Sequence, residues 1–517
     1  MVVADILRKN ARIYPNKLAV VFGEHRLTWR ELYERVNRFS NSLLGLDLTK
    51  GERVVFLSKN SHYFFDIWFA LAQIGLIGIT PNYRLGANEL SYIIKDSGAS
   101  TIIVSDEYVE VIRKVLPEIP EVRFLIGIGE NHALPLDYEK MIRNGAEIEP
   151  NISVTEDDIR LLMYTSGTTG IPKGAVWTHK SSITPSWGTI IAACLEVDDI
   201  HLNVLPLCLG GGNVACMVFF LRGATTVILE EFDPIRIFET IERKKVTVTH
   251  LVPTMISSLI NHPEIKKYDL SSLRLIMYGS APISMEVLRQ AMGTFKCKFI
   301  QCYGATETSG FSGFLLPEDH LFDSSDRRLR RIGSCGREAV WAEQRVVDEN
   351  GNDVKGNEVG EIIIKGNGVI KEYWKDPEKT KNTIKNSWWY SGDMAKVDED
   401  GYIYIVDRKT GMIISGGINI YPREIENVLY SHPAVKEAVV IGVPDREWGE
   451  SVKAVVQLKE GMTANEEEII DFCKQHLASY KKPKSVDFVD QFPLGIGGKI
   501  LKRVVREQYW KGRDRRV

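Results

Sequence analysis

The residues most constraining for this chain lie between positions 159 and 174. Ile159, Leu161, Leu162 and Met163 form an apolar run. It leads into Tyr164-Thr165-Ser166-Gly167-Thr168-Thr169-Gly170-Ile171-Pro172-Lys173-Gly174, a turn of glycines, hydroxyls and one lysine. An apolar strand feeding such a turn is a way for a backbone to wrap polyphosphate. Glycines let peptide N–H groups approach the oxygens with no Cβ in the way, hydroxyls add donors, and lysine adds a mobile positive charge. Thr165, Ser166, Gly167, Thr168, Thr169, Gly170 and Lys173 are therefore candidate phosphate ligands. The turn is not a Walker A loop, which needs glycine where Pro172 stands and Ser or Thr where Gly174 stands. A flexible surface loop is the plainer reading, but it would not need a buried-type strand in front of it.

At 517 residues the chain is too long for one ordinary core and predicts at least two domains. A hydrophobic content of 44% and a charged content of 26% are those of a soluble globular protein. A net charge of −3 gives no case for a nucleic-acid partner. Cys194, Cys208, Cys216, Cys297, Cys302, Cys335 and Cys473 are scattered and form no C-x-x-C pair. That points to reduced thiols in a cytoplasmic setting, not to disulfides or zinc. Asp5 and the lack of a long apolar run near the N-terminus argue against a signal peptide. The apolar stretch 214–221 is far too short to span a bilayer, so no transmembrane segment is expected.

Strand and helix patterns alternate through the first 400 or so residues. Residues 27–44 carry apolar side chains at helical spacing, opened by Thr28 with Glu31 three positions on, a capping-box pattern. Residues 54–57, 101–104, 225–229 and 273–278 read as short buried strands. Such alternation indicates α/β layers with mainly parallel sheets. From Arg345 onward, turns such as Asp348-Glu349-Asn350-Gly351 and Glu399-Asp400-Gly401 separate short alternating strands, the texture of hairpins. Past Lys409 follows a compact α+β segment with helical patterns at 422–429 and 466–477. These features place a domain boundary at Thr410, giving domains 1–409 and 410–517. The basic tail, 511–516, reads as a solvated end.

Five further segments follow the phosphate-type turn in order. They are Tyr278-Gly279-Ser280-Ala281-Pro282, Tyr303-Gly304-Ala305-Thr306-Glu307-Thr308, Tyr390-Ser391-Gly392-Asp393, Asp407-Arg408-Lys409, and Gly416-Gly417-Ile418-Asn419-Ile420-Tyr421-Pro422, with Gly498-Lys499 near the end. Together they resemble the adenylate-forming superfamily of acyl-CoA synthetases, luciferases and peptide-synthetase adenylation domains. The resemblance covers nearly the whole chain, from Tyr14-Pro15-Asn16-Lys17 onward. It implies a large N-terminal adenylating domain of layered α/β subdomains with a small β-barrel-like part, and a small mobile α+β C-terminal domain.

Joining a carboxylate to AMP brings two anions together and builds charge on the α-phosphate and the departing pyrophosphate. That chemistry calls for backbone donors, a metal and lysine, not a Ser-His-Asp triad. The resemblance assigns the β- and γ-phosphates to Thr165 through Gly170 with Lys173. It gives Mg²⁺ to Glu307 with Thr165 nearby, and a carboxylate with phosphate oxygens suits that hard cation. Tyr303 is implied to stack on adenine, with Gly279, Ser280 and Ala281 lining the purine and Gly304 and Thr306 in the adjoining turn. Asp393 is implied to accept hydrogen bonds from the ribose hydroxyls, and Arg408 to reach ribose or phosphate. Lys499, after the glycine-rich turn Gly495-Ile496-Gly497-Gly498, is implied to bridge the acyl carboxylate and the α-phosphate, with Thr165 and Glu307 as the other catalytic groups. Gly416 and Gly417 are implied to line a pantetheine tunnel, and Thr410 to be the hinge.

Three departures from the family pattern stand out. Leu209 in Pro206-Leu207-Cys208-Leu209 replaces a frequent histidine near the acyl pocket and is followed by Gly210, Gly211 and Gly212. Thr410 replaces the usual Asp or Lys. Gly495 and Gly497 replace Thr/Asn and Ser before the lysine. With Trp187, the first departure suggests an apolar pocket and a fatty, alicyclic or aromatic carboxylic acid. The expectation is an acyl-CoA synthetase: acid and ATP give acyl-AMP and pyrophosphate, and CoA then gives the thioester and AMP. The partners are then the acid, ATP and CoA, and a homodimer stays open. Transfer to a carrier protein or to oxygen is the alternative enzyme reading. A binding paralogue without catalysis is the other, and the presence of Lys173, Glu307, Asp393, Arg408 and Lys499 argues against it.

Overall fold

The computed structural model describes residues 1–165, 172–322, 326–356, 358–409, 411–415, 418–495 and 500–511, without the side chains of residues 326–328 and 419. Four sheets organise them. The first has seven strands in the order Leu136–Asp137, Phe124–Ile128, Thr101–Ser105, Arg53–Leu57, Ile77–Ile79, Ile159–Thr165 and Lys173–Thr178. It is parallel throughout except for the last pair. The second has nine strands, with Leu275–Gly279, Val248–Leu251, Ile200–Asn203 and Thr225–Ile228 in its parallel centre. Its edges turn antiparallel: Lys298–Ala305 meets Gly310–Leu315 at one, and Leu18–Phe22 meets His25–Thr28 at the other. Val248–Leu251 and Thr225–Ile228 are buried at every position. That is why these stretches read as unbroken runs and not as alternating ones: both faces of a parallel sheet are covered.

The layers meet on helices whose composition suits the place. Helix Gly210–Arg222 is buried from Gly212 to Leu221. Cys216, Met217, Phe220 and Leu221 pack into one core while Val214, Val218 and Phe219 pack into another. A helix apolar on all sides belongs between layers. The capping box is present at Thr28: its backbone N–H donates to Glu31 at 2.7 Å and its hydroxyl accepts from the Glu31 N–H at 3.2 Å, opening helix Trp29–Leu44. The strand expected from position 273 starts at Leu275, because Arg274 and Leu275 both donate to the Thr247 carbonyl before the ladder is established.

The third sheet carries the expected hairpin texture. Ala342–Val347, Gly360–Gly366, Ile384–Lys385, Trp388–Val397 and Ile403–Arg408 form five antiparallel strands. The fourth gathers Ile418–Ile420, Ile413–Ser415, Gly449–Leu458, Val435–Asp445 and Ser485–Phe488, with helices Pro422–Tyr430 and Glu466–His476 at positions the sequence led us to expect. It has its own buried core around Ile413, Ile425, Leu429 and Val440. All seven cysteines are free thiols. Among the described residues no helix is long and apolar enough to cross a membrane.

Candidate active site

The phosphate-type turn closes a hairpin. Strand Ile159–Thr165 runs antiparallel to Lys173–Thr178, with Thr165 opposite Lys173 and Tyr164 opposite Gly174. Ser166, Gly167, Thr168, Thr169 and Gly170 lie outside the described residues. Lys173 is already engaged: its Nζ stands 2.6 Å from Asp376 Oδ2. Asp376 also accepts from the Lys379 N–H at 3.0 Å and so caps helix Pro377–Thr383. The hydrogen bond to Asp376 raises the lysine pKa above its ordinary value, and the same bond lowers that of the aspartate.

Asp376 ends a short segment that straps two sheets together. Trp374 N–H donates to the Gly174 carbonyl at 2.7 Å, and Val176 N–H donates to the Glu372 carbonyl at 3.1 Å, fastening the strap to the hairpin. On the other side, Ile370 N–H donates to the Glu307 carbonyl at 2.8 Å and the Tyr373 hydroxyl donates to Glu307 Oε1 at 2.8 Å. Lys173 and Glu307, from different sheets, are thus held by one stretch of chain. The carboxylate fixed by Tyr373 fits a hard divalent cation that completes its shell with phosphate oxygens. Sequence reasoning missed both Tyr373 and Asp376. Their partners are 66 and 203 positions away, and no local pattern marks such contacts.

Glu307 lies in a single turn, Thr306–Thr308, at the end of strand Lys298–Ala305. Backbones crowd here. A Cβ on Gly304 would come within 2.2 Å of the Gly310 carbonyl oxygen, and one on Gly279 within 2.2 Å of that of Cys302. Neither position accepts a side chain. Ser280 next door has φ +66°, a left-handed conformation costly for a non-glycine residue and common at ligand clamps. Ala281 beside it is half-buried.

A second group joins the nine-stranded sheet to the small antiparallel one. The Tyr303 hydroxyl donates to Asp393 Oδ2 at 2.8 Å. Asp393 pairs with Arg408 across the ladder, and Arg408 Nε stands 2.7 Å from Asp393 Oδ1. Arg408 also donates to the Ser391 carbonyl at 3.1 Å. Burial, helped by the Asp393 charge, pushes the Tyr303 phenol well above its ordinary pKa, so it remains a donor. The Tyr303 ring is 9% exposed and packs with Ile362, Ile364 and Trp389. Lys409 fastens the end of its strand: its N–H donates to the Gly392 carbonyl at 2.7 Å and its Nζ stands 3.0 Å from Glu361 Oε2. Thr410, Gly416, Gly417 and Lys499 lie outside the described residues. Ser415 pairs with Ile418, and Leu494 bridges Ile500, on either side of the last three.

Leu209 precedes helix Gly210–Arg222 and packs, half-buried, against the first core. A Cβ on Gly210 would stand 3.6 Å from the Trp177 ring and 3.8 Å from Thr306 Oγ1. Trp177 Nε1 donates to the Thr306 carbonyl at 2.8 Å. The start of this helix therefore abuts the Glu307 turn. Gly211 faces Leu205 instead. Trp187 is 42% exposed on helix His179–Ala192, a poor position for walling an enclosed pocket.

This architecture, with a hairpin lysine and a turn carboxylate tied by one strap beside a Tyr-Asp-Arg cluster, has counterparts among known proteins. The model of the AMP-binding enzyme family matches residues 7–374, and that of its C-terminal domain matches residues 424–499. The chain belongs to the AMP-binding enzyme family, within the adenylate-forming superfamily. It is 37% identical to a feruloyl-CoA synthase of Amycolatopsis sp over 503 residues, covering 97% of this chain and 98% of that one. It is 34% identical to the long-chain-fatty-acid–CoA ligase FadD13 of Mycobacterium tuberculosis over 509 residues, covering 98% of each. Among solved structures, the anthranilate CoA ligase AuaEII in complex with anthranoyl-AMP superposes with a TM-score of 0.90 at 27% identity, covering 98% of this chain and 97% of that one.

Proposed function

We propose that this protein is an acid–CoA ligase that activates a carboxylic acid with ATP as acyl-AMP and then transfers the acyl group to CoA. The strap carries the reading: the Tyr373 contact to Glu307 and the Asp376 contact to Lys173 set a carboxylate and a lysine at a fixed spacing across two sheets. A triphosphate would take Lys173 from Asp376, exchanging one carboxylate for a more highly charged anion. Asp393, oriented by Tyr303 and Arg408, accepts from the ribose hydroxyls. Ser280 and Ala281 flank the purine, with the edge of Tyr303 beside it. Glu307 would hold Mg²⁺, which would supply positive charge against the phosphate oxygens. Thr165 and the residues 166–170 complete the cradle, and Lys499 bridges the acyl carboxylate and the α-phosphate. Gly416 and Gly417 leave room for pantetheine, and the chain pivots at Thr410, dividing it into 1–409 and 410–517. The CoA-ligase relatives support the acceptor, and the range of acids in their names leaves the acid to be found.

The test separates the half-reactions. Pyrophosphate release is followed over a panel of acids, with and without CoA. In Lys499→Ala, acyl-AMP formation is expected to fall by roughly 10²–10³-fold. Attack of CoA on supplied acyl-AMP should be spared. Equal loss in both half-reactions would remove Lys499 from the adenylation step. Release from no acid at all would sink the ligase reading.

A further inference from the structure

Beneath the start of helix Gly210–Arg222 lies a buried polar arrangement that the adenylation chemistry does not use. Arg160 is 3% exposed. Its Nε donates to Ser182 Oγ at 3.1 Å and its Nη2 to Asn213 Oδ1 at 2.9 Å. Neither partner is charged, and no carboxylate pairs with Arg160 among the described residues. Burial alone pushes its pKa down to about 9. The ladder register shifts between Ile159 and Leu161, so Arg160 sits at a β-bulge. Bulges are found beside active sites, where they re-aim a side chain. This one sends a guanidinium between two helices, into a layer otherwise filled by Leu161, Val214 and Val218.

Asn213 is 1% exposed, and its Nδ2 has no hydrogen-bond partner among the described residues. The orientation of its amide follows from its neighbour. A guanidinium only donates, so the atom facing Arg160 must be the carbonyl oxygen, and the NH₂ group is turned away from it. Asn213 stands three residues beyond Gly210, on the same helix face and about 4.5 Å deeper along the axis. The Gly210 position is the one that abuts Thr306. A buried donor therefore waits one helical turn below Gly210, the position that abuts the Glu307 turn. Buried donors in native proteins nearly always have a partner.

We propose that Asn213 Nδ2 donates to an oxygen carried on the acyl part of the acid, so that the substrates are acids bearing a hydroxyl, ether, keto or second carboxyl oxygen. Arg160 is the positioning residue that sets the amide. This inference rests on the acid–CoA ligase reading. It also revises the apolar expectation drawn from Leu209: leucine precedes the helix, and the donor stands one turn further along it.

The experiment compares kcat/KM for pyrophosphate release within matched pairs. Benzoate is set against its 2-, 3- and 4-hydroxy derivatives, cinnamate against 4-hydroxycinnamate, and hexanoate against 6-hydroxyhexanoate and adipate. The wild type is expected to favour an oxygen-bearing member by tenfold or more in at least one set, on the order of a hydrogen bond to a buried donor. Asn213→Leu should bring that ratio to within about threefold of unity, given the same principle. Asn213→Asp, which offers only an acceptor, should disfavour acids whose extra oxygen is an ether or keto group, while hydroxy acids, which can donate to it, keep their preference. Arg160→Met should lower the wild-type ratio without reversing it. Ratios within a pair cancel any loss of folded enzyme. Preference for the unsubstituted acid in every set, or an unchanged ratio in Asn213→Leu, overturns the inference and leaves the ligase reading standing. Pyrophosphate release from no acid overturns both.

Discussion

A half-buried arginine and a buried one are treated in opposite ways in this molecule. Arg35, on helix Trp29–Leu44, reaches Asp66 through Nε at 3.0 Å and Nη2 at 2.8 Å, and reaches Glu139 at 2.8 Å. Tyr138 adds a hydrogen bond to the same Asp66 oxygen at 3.1 Å. Burial disfavours the guanidinium there, but the Asp66 charge and the bond to Glu139 more than reverse it, and its pKa rises. Three helices are pinned through one cation. Arg160 is more deeply buried, yet its side-chain partners among the described residues are only a hydroxyl and an amide. The difference separates a charge that fixes packing from one kept at a cost to the folded state. A cation of the second kind calls for an explanation outside stability.

The largest expected effect belongs to the first site. Arg35→Met leaves Asp66 buried without its cation and is expected to destabilise by about 3–5 kcal/mol, read as a drop in urea midpoint. A smaller effect comes from acid. His62, near Arg35, and His179, near Arg160, are each pushed down to about 3, chiefly by burial, with His25 and then Arg35 adding to it at His62 and Arg160 at His179. Their folded pKa lies below the unfolded value, so the unfolded chain takes up protons first as pH falls. The stability they contribute is complete above about pH 6.5 and is lost progressively toward pH 3, at about 2 kcal/mol for each histidine by pH 5. Unfolding at pH 7 and pH 5 checks this, and His179→Gln should flatten the slope. The smallest effect sharpens the comparison most. Arg160→Met removes a buried charge that has no counter-ion among the described residues and is expected to leave stability within about 1 kcal/mol of wild type or to raise it. A fall as large as that of Arg35→Met would place the two arginines in one class.

What could be read from the sequence was what is local. Thr28 and Glu31 announce their helix because both halves of the capping box lie within one turn. The buried runs at 54–57 and 101–104 announce parallel strands because they are short, bounded by polar residues and apolar on both faces. The motif residues Tyr303, Asp393 and Arg408 were visible as types in a pattern; the ladder pairs Asp393 with Arg408, and the Tyr303 hydroxyl joins them from another sheet. Their mutual bonds were not visible, since Tyr303 and Asp393 meet across 90 positions. Nothing local ties Asp376 to Lys173, 203 positions away. Ser280 gave no sign of its left-handed backbone. Nothing local marks Arg160 in the sequence, and only the bulge and the helix above it show where it goes.

The strap at 370–376 acts as a ruler. One end is bonded to the turn that carries Glu307 and the other to the strand that begins at Lys173, with only six peptide steps between Ile370 and Asp376. The spacing between carboxylate and lysine is therefore recorded in a residue count and not in the packing of two large sheets against each other. Either sheet can breathe or drift over evolutionary time while that count keeps the two groups in register. An inserted or deleted residue here would change the measure itself, leaving both sheets intact and the site out of gauge.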